Sequence, residues 1–229
     1  MNWKEFWQEQ ASKKNAQERV GRINANSQKA NAASFLHTVQ HIKTQLSLQQ
    51  EHSLLDVCCG NGQLAVHLAP DVKQYFGLDF TLPLIEEAKQ LPLQNAEFLW
   101  GDASKLITHV PSPVDRILLH FSLQYFEDAK QRYELFNGLF QVSKPGARVL
   151  ISDIPDASRW KAFYKSPLQR LRYLKQKLMG NEDMGAWFKP AQLARYAQGF
   201  GFEVSILEQP SHLPYSHYRF DILLIKPLP

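Results

Sequence analysis

Cysteine is nearly absent from this chain of 229 residues. Its only two cysteines, Cys58 and Cys59, are adjacent. One vicinal pair cannot form a disulfide framework, and adjacent cysteines lack the spacing of a zinc site. The sequence therefore excludes a disulfide scaffold and gives no reason to expect a bound metal.

Long apolar runs are missing as well. No run approaches the ~18 residues that a membrane-spanning helix needs. The first residues, Met-Asn-Trp-Lys-Glu-Phe-Trp, contain no apolar segment of the kind found in signal peptides. We therefore expect a cytoplasmic protein with no membrane partner.

A strong overall charge is also lacking, since the net charge is only +4, but the charges are unevenly distributed. Residues 1–50 hold 7 Lys/Arg against 3 Asp/Glu, and residues 159–195 hold 9 against 2. These segments contribute +4 and +7, so the remainder carries −7. An acidic remainder argues against nucleic acid as the partner. The two basic segments are either solvated helix faces or surfaces that meet an anionic substrate.

Residues 53–62 predict a buried strand that ends in a glycine-rich turn, yet the turn lacks a full dinucleotide-binding motif. In the pattern G-x-G-x-x-G the corresponding positions are Cys58, Gly60 and Gln63, so two of the three glycines are missing. A strand, a glycine turn and a helix are still the general arrangement for holding a nucleotide-like ligand. The alternative is a strand-turn-helix corner in an unrelated α/β protein.

Short apolar runs alternate with amphipathic segments along the rest of the chain. Strands are predicted at residues 53–58, 74–78, 96–100, 114–120, 147–152, 203–208 and 218–225. Helices are predicted at residues 63–68, 82–90, 130–142 and 190–199. This alternation predicts an α/β fold with a doubly wound, mostly parallel sheet.

Three local features refine this prediction. The connection at residues 209–217 is too short for a helical crossover, so the last two strands should pair antiparallel. Residues 144–146, Lys-Pro-Gly, predict a turn before the fifth strand. Thr81 is expected to cap the helix that follows it. A polar stretch at residues 24–34 is expected to separate two helical parts of the N-terminal segment.

The glycine-rich turn and its surroundings resemble the class I S-adenosylmethionine-dependent methyltransferases. Asp56, Gly60 and Gly62 match the D-x-G-x-G-x-G motif of that family, with Cys58 at its first glycine. Asp79 ends the second predicted strand, 19 residues after Gly60. Further matches follow in order after the later strands, so the resemblance extends from about residue 54 to residue 225.

The resemblance implies a Rossmann-like, seven-stranded sheet with a reversed last strand. It divides a single domain, residues 1–229, into four parts. These are an N-terminal helical cover (1–50), a cofactor-binding core (51–155), a helical insertion or lid (156–189), and a C-terminal helix with an antiparallel strand pair (190–229). The implied cofactor is S-adenosyl-L-methionine, with S-adenosyl-L-homocysteine as the product.

The resemblance also implies roles for individual residues. Asp79, next to Phe80, would accept hydrogen bonds from both ribose hydroxyls, and Asp102, next to Ala103, would accept one from the adenine amino group. His120 would line the cofactor and the transferred methyl group. Its position at the carboxyl end of a central strand, where ligands bind, also makes it the first candidate for a catalytic base, ahead of Asp153 and Tyr125; the alternative is that it contacts the cofactor only through its backbone. The expected cofactor contacts are Asp56, Cys58, Gly60, Gly62, Asp79, Phe80, Asp102, Ala103 and His120. The expected substrate-region residues are Arg19, Arg22, Trp160, Tyr164 and Trp187.

The sequence thus predicts an S-adenosylmethionine-dependent methyltransferase that transfers a methyl group to O or N of a small acceptor, including an anionic one. Two alternatives stay open. One is an RNA methyltransferase. The other is a catalytically idle methyltransferase fold that serves as a binding or activating subunit.

Overall fold

Seven strands form one sheet in the computed structural model of the protein, which describes residues 2–11, 28–179 and 184–229. The spatial order of the strands is β3-β2-β1-β4-β5-β7-β6. Strands β1 to β5 pair parallel, whereas β7 runs antiparallel to both β5 and β6. The bounds are β1 (Ser53–Val57), β2 (Gln74–Asp79), β3 (Ala96–Trp100), β4 (Val114–His120), β5 (Ser143–Pro155), β6 (Glu203–Glu208) and β7 (Arg219–Ile225). The predicted doubly wound sheet with a reversed last strand is confirmed.

Helices cover both faces of the sheet. In the described part of the chain they are α1 (Trp3–Ala11), α2 (Gln28–Leu46), α3 (Ala65–Leu68), α4 (Leu82–Ala88), α5 (Leu106–His109), α6 (Ala129–Val142), α7 (Trp160–Phe163), α8 (Pro167–Leu178) and α9 (Pro190–Gln198). Short 3₁₀ turns lie at Ala69–Asp71, Ala103–Lys105 and Leu123–Tyr125.

The central strands read as continuous apolar runs because both of their faces are buried. Successive side chains of a strand point to opposite faces. Leu54 accordingly packs with the cluster that contains α2, α3 and α4, whereas Leu55 packs with the cluster that contains α6 and α9. Leu118 and Ile117 of β4 divide between the two clusters in the same way.

Two local predictions are wrong. The fifth strand begins at Ser143 and runs through the predicted Lys-Pro-Gly turn, because Ser143 pairs with Val114 ahead of an irregularity in the ladder. Of the polar stretch expected to separate the helices, residues 28–34 already belong to α2, and residues 24–27 lie outside the described part of the chain. For β5, pairing with a distant strand overrides the local turn signal.

A polar contact ties three strands together at the edge of the sheet opposite the glycine turn. The Asp115 carboxylate accepts hydrogen bonds from the backbone N–H of Ser53 at 2.9 Å and from its hydroxyl at 2.6 Å. Lys144 Nζ donates to the same carboxylate at 2.9 and 3.0 Å. Burial raises the pKa of Asp115, but the bonds from Ser53 and Lys144 outweigh it and lower the pKa to about 2.

We predict that Asp115→Asn destabilises the fold at neutral pH. The folded-state pKa lies below the ordinary value of 3.8, so the contribution is present above pH ~4 and is lost as the pH falls towards 2. Because the carboxylate is partly exposed, we expect a loss of about 1 kcal/mol at pH 7 rather than the full value of the shift. Urea unfolding between pH 3 and pH 7 measures this difference.

The matched control is Asp71→Asn, which removes an exposed carboxylate from a single ion pair with Lys43. It should change the free energy of unfolding by less than about 0.5 kcal/mol. A difference between wild type and Asp115→Asn that stays constant from pH 7 to pH 3 would contradict the assignment.

Candidate active site

A cavity of about 410 Å³ opens at the carboxyl ends of β1, β2 and β4. The strand order reverses between β1 and β4, and ligands of doubly wound sheets bind at such a reversal. The walls are the glycine turn after β1, the loops after β2, β3 and β4, and helix α1. The cavity therefore lies where the sequence predicts a cofactor.

Most of the predicted cofactor contacts meet at this cavity. The residues that line it are Cys58, Gly60, Asp79, Phe80, Asp102, Ala103 and His120. The other two lie behind its wall. Asp56 is buried and accepts a hydrogen bond from the Tyr75 hydroxyl at 2.6 Å. Gly62 has a φ of +76°, and a Cβ there would lie 2.7 Å from Leu91 Cδ1. These two residues therefore shape the turn.

The Asp79 carboxylate organises the turn from the end of β2. It accepts a hydrogen bond from Gly60 N–H at 3.0 Å and one from Thr81 N–H at 2.8 Å. Burial raises the pKa of Asp79, and the two backbone donors oppose that rise. Thr81 stands at the N-cap of α4 without a side-chain capping bond, so its predicted capping role is wrong.

Cys58 adopts a backbone conformation that favours glycine. Its φ is +63°, in the left-handed region where a Cβ is costly. This explains why the matching motif has glycine at the position. The thiol faces the cavity, and burial together with the carboxylates of Asp79 and Asp56 raises its pKa well above the ordinary value. Cys58 is therefore a protonated thiol at neutral pH.

Helix α1 closes the cavity from the N-terminal side. Lys4 forms an ion pair with Asp102, whose carboxylate also accepts hydrogen bonds from the backbone and hydroxyl of Ser104 at 2.9 Å. Burial raises the pKa of Asp102, but the bonds from Lys4 and Ser104 bring it below the ordinary value. Trp3 packs against Tyr125 with ring centroids 4.6 Å apart, and Trp7 does so at 5.3 Å.

The sequence missed Trp3, Lys4 and Trp7 as individual site residues. Their signal was the aromatic face that residues 3, 6 and 7 present at helical spacing. That face could equally have packed on a core, because spacing does not show which surface a helix covers.

His120 lies at the end of β4 and lines the cavity. Its Nδ1 shares a hydrogen bond of 2.8 Å with the hydroxyl of Ser152, the neighbouring residue on β5. The next residue, Phe121, has a φ of +56° and also lines the cavity. Strained backbone of this kind persists where the surrounding structure fixes it, often at binding sites.

Arg219 is a buried cation one layer behind Phe121, and no sequence pattern predicts its position. Its guanidinium carbon lies 4.2 Å from the Phe121 ring centroid and 5.2 Å from that of Tyr218. Nη1 donates to the carbonyl oxygen of Asp153, whereas Nε and Nη2 are buried without a hydrogen-bond partner. Among the described residues, none forms an ion pair with it. The cavity wall therefore has a positive charge behind it.

The predicted substrate-region residues are not at the cavity wall. Arg19 and Arg22 lie outside the described residues. Trp160, Tyr164 and Trp187 belong to an aromatic cluster of the inserted segment and do not line the cavity. Their role in substrate selection stays a prediction.

The family model "Methyltransferase domain" matches residues 32–206, which is most of the chain. The chain belongs to this methyltransferase family. S-adenosylmethionine is the methyl donor of the family, so the predicted family and its cofactor are confirmed.

The chain spans about half or less of the length of the first curated relatives that it matches. It is 37% identical over 93 residues to the tRNA (uracil-5-)-methyltransferase homolog A of Mus musculus, covering 39% of this chain but only 14% of that protein. It is 26% identical over 165 residues to the ubiquinone biosynthesis O-methyltransferase of Pseudoalteromonas translucida, covering 71% and 68%.

A solved structure shows the same fold along nearly the whole chain. The magnesium protoporphyrin IX methyltransferase of Synechocystis PCC 6803, crystallised with bound SAH, superposes with a TM-score of 0.64. The match covers 98% of this chain and 95% of that one at 15% sequence identity.

The cavity of the methyltransferase fits the family's cofactor by its own chemistry. The Asp79 carboxylate lies at the cavity wall, and its bonding to ribose hydroxyls stays a prediction. Trp3 Nε1 and Asn61 Oδ1 are buried without a hydrogen-bond partner, although both residues line the cavity. A buried polar atom without a partner costs about 1–3 kcal/mol. The volume is within the range of small-molecule sites, about 300–1,000 Å³.

Two other features, a metal site and a membrane-spanning helix, are not found among the described residues. In the described residues, no group of three His, Cys, Asp or Glu side chains is placed to bind a metal ion. Among the described helices, none combines the length and apolar character needed to span a bilayer. The cytoplasmic location stays a prediction.

We predict that the stability of the glycine turn depends on the branching of residue 58. Cys58→Gly should unfold within about 1 kcal/mol of wild type, because relief of the left-handed strain offsets the greater entropy of an unfolded glycine. Cys58→Val should lose about 1–2 kcal/mol or more, because a β-branched residue is an outlier at this φ. Chemical denaturation measures both.

Cys58→Ala is the control, since it keeps the Cβ without adding a branch. It should lie between the other two variants. Equal stability of Cys58→Gly and Cys58→Val would show that residue 58 is not held in the left-handed region.

Proposed function

We propose that the protein is an O-methyltransferase that acts on a small acceptor with an acidic hydroxyl group. The observation that carries the proposal is the hydrogen-bonded pair of His120 and Ser152 at the cavity wall. A hydroxyl must lose its proton when it is methylated, and a positioned histidine is the most frequent base for this purpose.

The chain's own residues would divide the work as follows. S-adenosylmethionine, held by the glycine turn, Asp79 and Asp102, supplies an already activated methyl group. His120, whose Nδ1 is hydrogen-bonded to the hydroxyl of Ser152, would be the base that takes the acceptor proton. Ser152 would then be a positioning residue, because its hydroxyl holds the orientation of the imidazole ring. Tyr125 and Phe121 provide an apolar wall that excludes water.

Arg219 supports an acceptor that is anionic when it reacts. A positive charge near a hydroxyl group lowers its pKa, since it favours the deprotonated form. Arg219 is separated from the cavity by the Phe121 ring and forms no ion pair with the described residues. We expect part of its charge to act on the cavity across the Phe121 ring. The relative named as an O-methyltransferase also supports oxygen as the methylated atom.

The RNA methyltransferase alternative has one supporting observation, the similarity to a tRNA methyltransferase homologue. That match covers only 93 residues and 14% of the relative. The acidic remainder of this chain argues against RNA. An idle fold is disfavoured by a cavity that keeps the carboxylates of Asp79 and Asp102 at its wall.

The test is release of S-adenosylhomocysteine with a panel of catechols, phenols, aryl carboxylates and arylamines, with a tRNA pool as a further arm. Hydroxyl compounds should be methylated and arylamines should not. His120→Asn should lower kcat by a factor of about 10²–10⁴ without changing S-adenosylmethionine affinity. Ser152→Ala should lower kcat less and flatten the pH profile of kcat.

Ser205→Ala is the matched control, because it removes a hydroxyl from the edge strand β6, away from the cavity. It should leave kcat unchanged. Methylation of arylamines or tRNA in preference to hydroxyl compounds would contradict the proposal. So would an unchanged kcat in His120→Asn.

A further inference from the structure

Helix α8 presents an apolar stripe to solvent. Leu168, Leu171 and Leu178 are 76%, 66% and 90% exposed, and Leu174 is also exposed. At about 100° per residue, these four leucines fall within an arc of about 120°. Tyr173 lies on the opposite face and is buried. Tyr173 therefore packs against the rest of the protein, and the four leucines are exposed to solvent.

The charge of the same segment restricts what could cover the stripe. Residues 159–179 contain seven Lys/Arg and no Asp/Glu. At about 100° per residue, Arg172 and Lys177 lie at opposite edges of the leucine stripe. Lys175 lies within the stripe. A covering surface must therefore be both apolar and anionic. A second copy of this chain fits poorly, because two such segments would repel each other.

An anionic membrane surface meets both requirements. Helices with an apolar face, a cationic polar face and low overall hydrophobicity lie in the plane of the interface between lipid headgroups and acyl chains. With 12 residues, α8 is too short to span a bilayer, which needs about 20. Peripheral attachment is therefore compatible with the absence of a spanning helix among those described.

The position of α8 relative to the cavity gives this attachment a purpose. Tyr173 contacts Trp187 with ring centroids 6.2 Å apart, and Trp187 contacts Tyr218 at 6.0 Å. Tyr218 contacts Tyr215 at 6.0 Å, and Tyr215 contacts Phe121 at 5.8 Å. Phe121 lines the cavity. A continuous series of aromatic rings therefore connects helix α8 to Phe121 at the wall of the cavity.

We propose that α8 docks the protein on an anionic membrane surface through its leucine stripe and flanking cations. This departs from the sequence-based expectation of no membrane partner, which rested on the lack of a long apolar run. Only one part of the proposal rests on the proposed function, namely that docking gives the enzyme access to an acceptor in the membrane. The docking itself is independent of methyl transfer.

The test is sedimentation of the full chain with vesicles of phosphatidylglycerol and phosphatidylcholine, compared with pure phosphatidylcholine. Binding should require phosphatidylglycerol and should weaken as salt rises from 0.1 to 0.5 M. Arg172→Gln with Lys175→Gln should weaken binding about fivefold per charge. Leu171→Gln with Leu178→Gln should weaken it about tenfold or more.

The control pairs are Lys73→Gln with Lys89→Gln, and Leu36→Gln with Leu228→Gln. They remove the same residue types from exposed positions outside α8 and should leave vesicle binding unchanged. Every variant should keep the wild-type affinity for S-adenosylmethionine, because none of these residues lines the cavity. If the wild-type protein did not bind S-adenosylmethionine, that result would count against the methyltransferase function and not against membrane docking.

Three outcomes would overturn the proposal. The first is no sedimentation with anionic vesicles. The second is equal loss of binding in the α8 variants and in their controls. The third is a concentration-dependent dimer in light scattering that Leu171→Gln with Leu178→Gln abolishes, because the stripe would then be an interface between two copies of the chain.

Discussion

The buried carboxylate of Asp79 is the constraint on which the site depends. It stands at the end of β2 and receives the backbone N–H of Gly60 from one side and that of Thr81 from the other. The glycine turn and the start of α4 are thereby fixed relative to the sheet. Loss of either hydrogen bond would leave a buried charge undersatisfied, which is costly. The same carboxylate is also the group that we predict to bind the ribose of the cofactor.

Backbone strain marks the rest of the site. Cys58, Phe121 and Asp153 all have positive φ values. Cys58 and Phe121 follow β1 and β4 at the cavity, whereas Asp153 lies inside β5 at an irregularity of its pairing with β7. Each conformation costs about 1–3 kcal/mol and is maintained by its surroundings. Cys58 is held by the turn that Asp79 organises. Phe121 lies between the cavity and Arg219, so its strained backbone places an aromatic ring between a buried cation and the cavity.

The sequence predicted the sheet well because its signals are local. The β-branched and aliphatic runs of β3, β4 and β6 have the predicted bounds, and the short connection before β7 required an antiparallel pair. Asp79, Asp102 and His120 could be placed at the cavity because each ends or follows a strand in the order of a known motif. The start of β5 was misjudged because its pairing with Val114 is not visible in the local Lys-Pro-Gly signal. Arg219 was missed because nothing in the sequence shows that its guanidinium lies behind Phe121. The exposed leucines of α8 were missed for a similar reason, since spacing shows a stripe but not what it faces.

The most direct test of the account is calorimetric titration of S-adenosylmethionine into wild type, Asp79→Asn and Glu86→Gln, with NAD as the control ligand. We expect S-adenosylmethionine to bind the wild type with micromolar affinity. It should bind Glu86→Gln equally well, because Glu86 is an exposed residue of α4. Binding should be at least tenfold weaker in Asp79→Asn, because an amide cannot accept both backbone N–H groups and also serve the ribose. NAD should not bind. Equal affinity of wild type and Asp79→Asn, or tighter binding of NAD than of S-adenosylmethionine, would contradict the account.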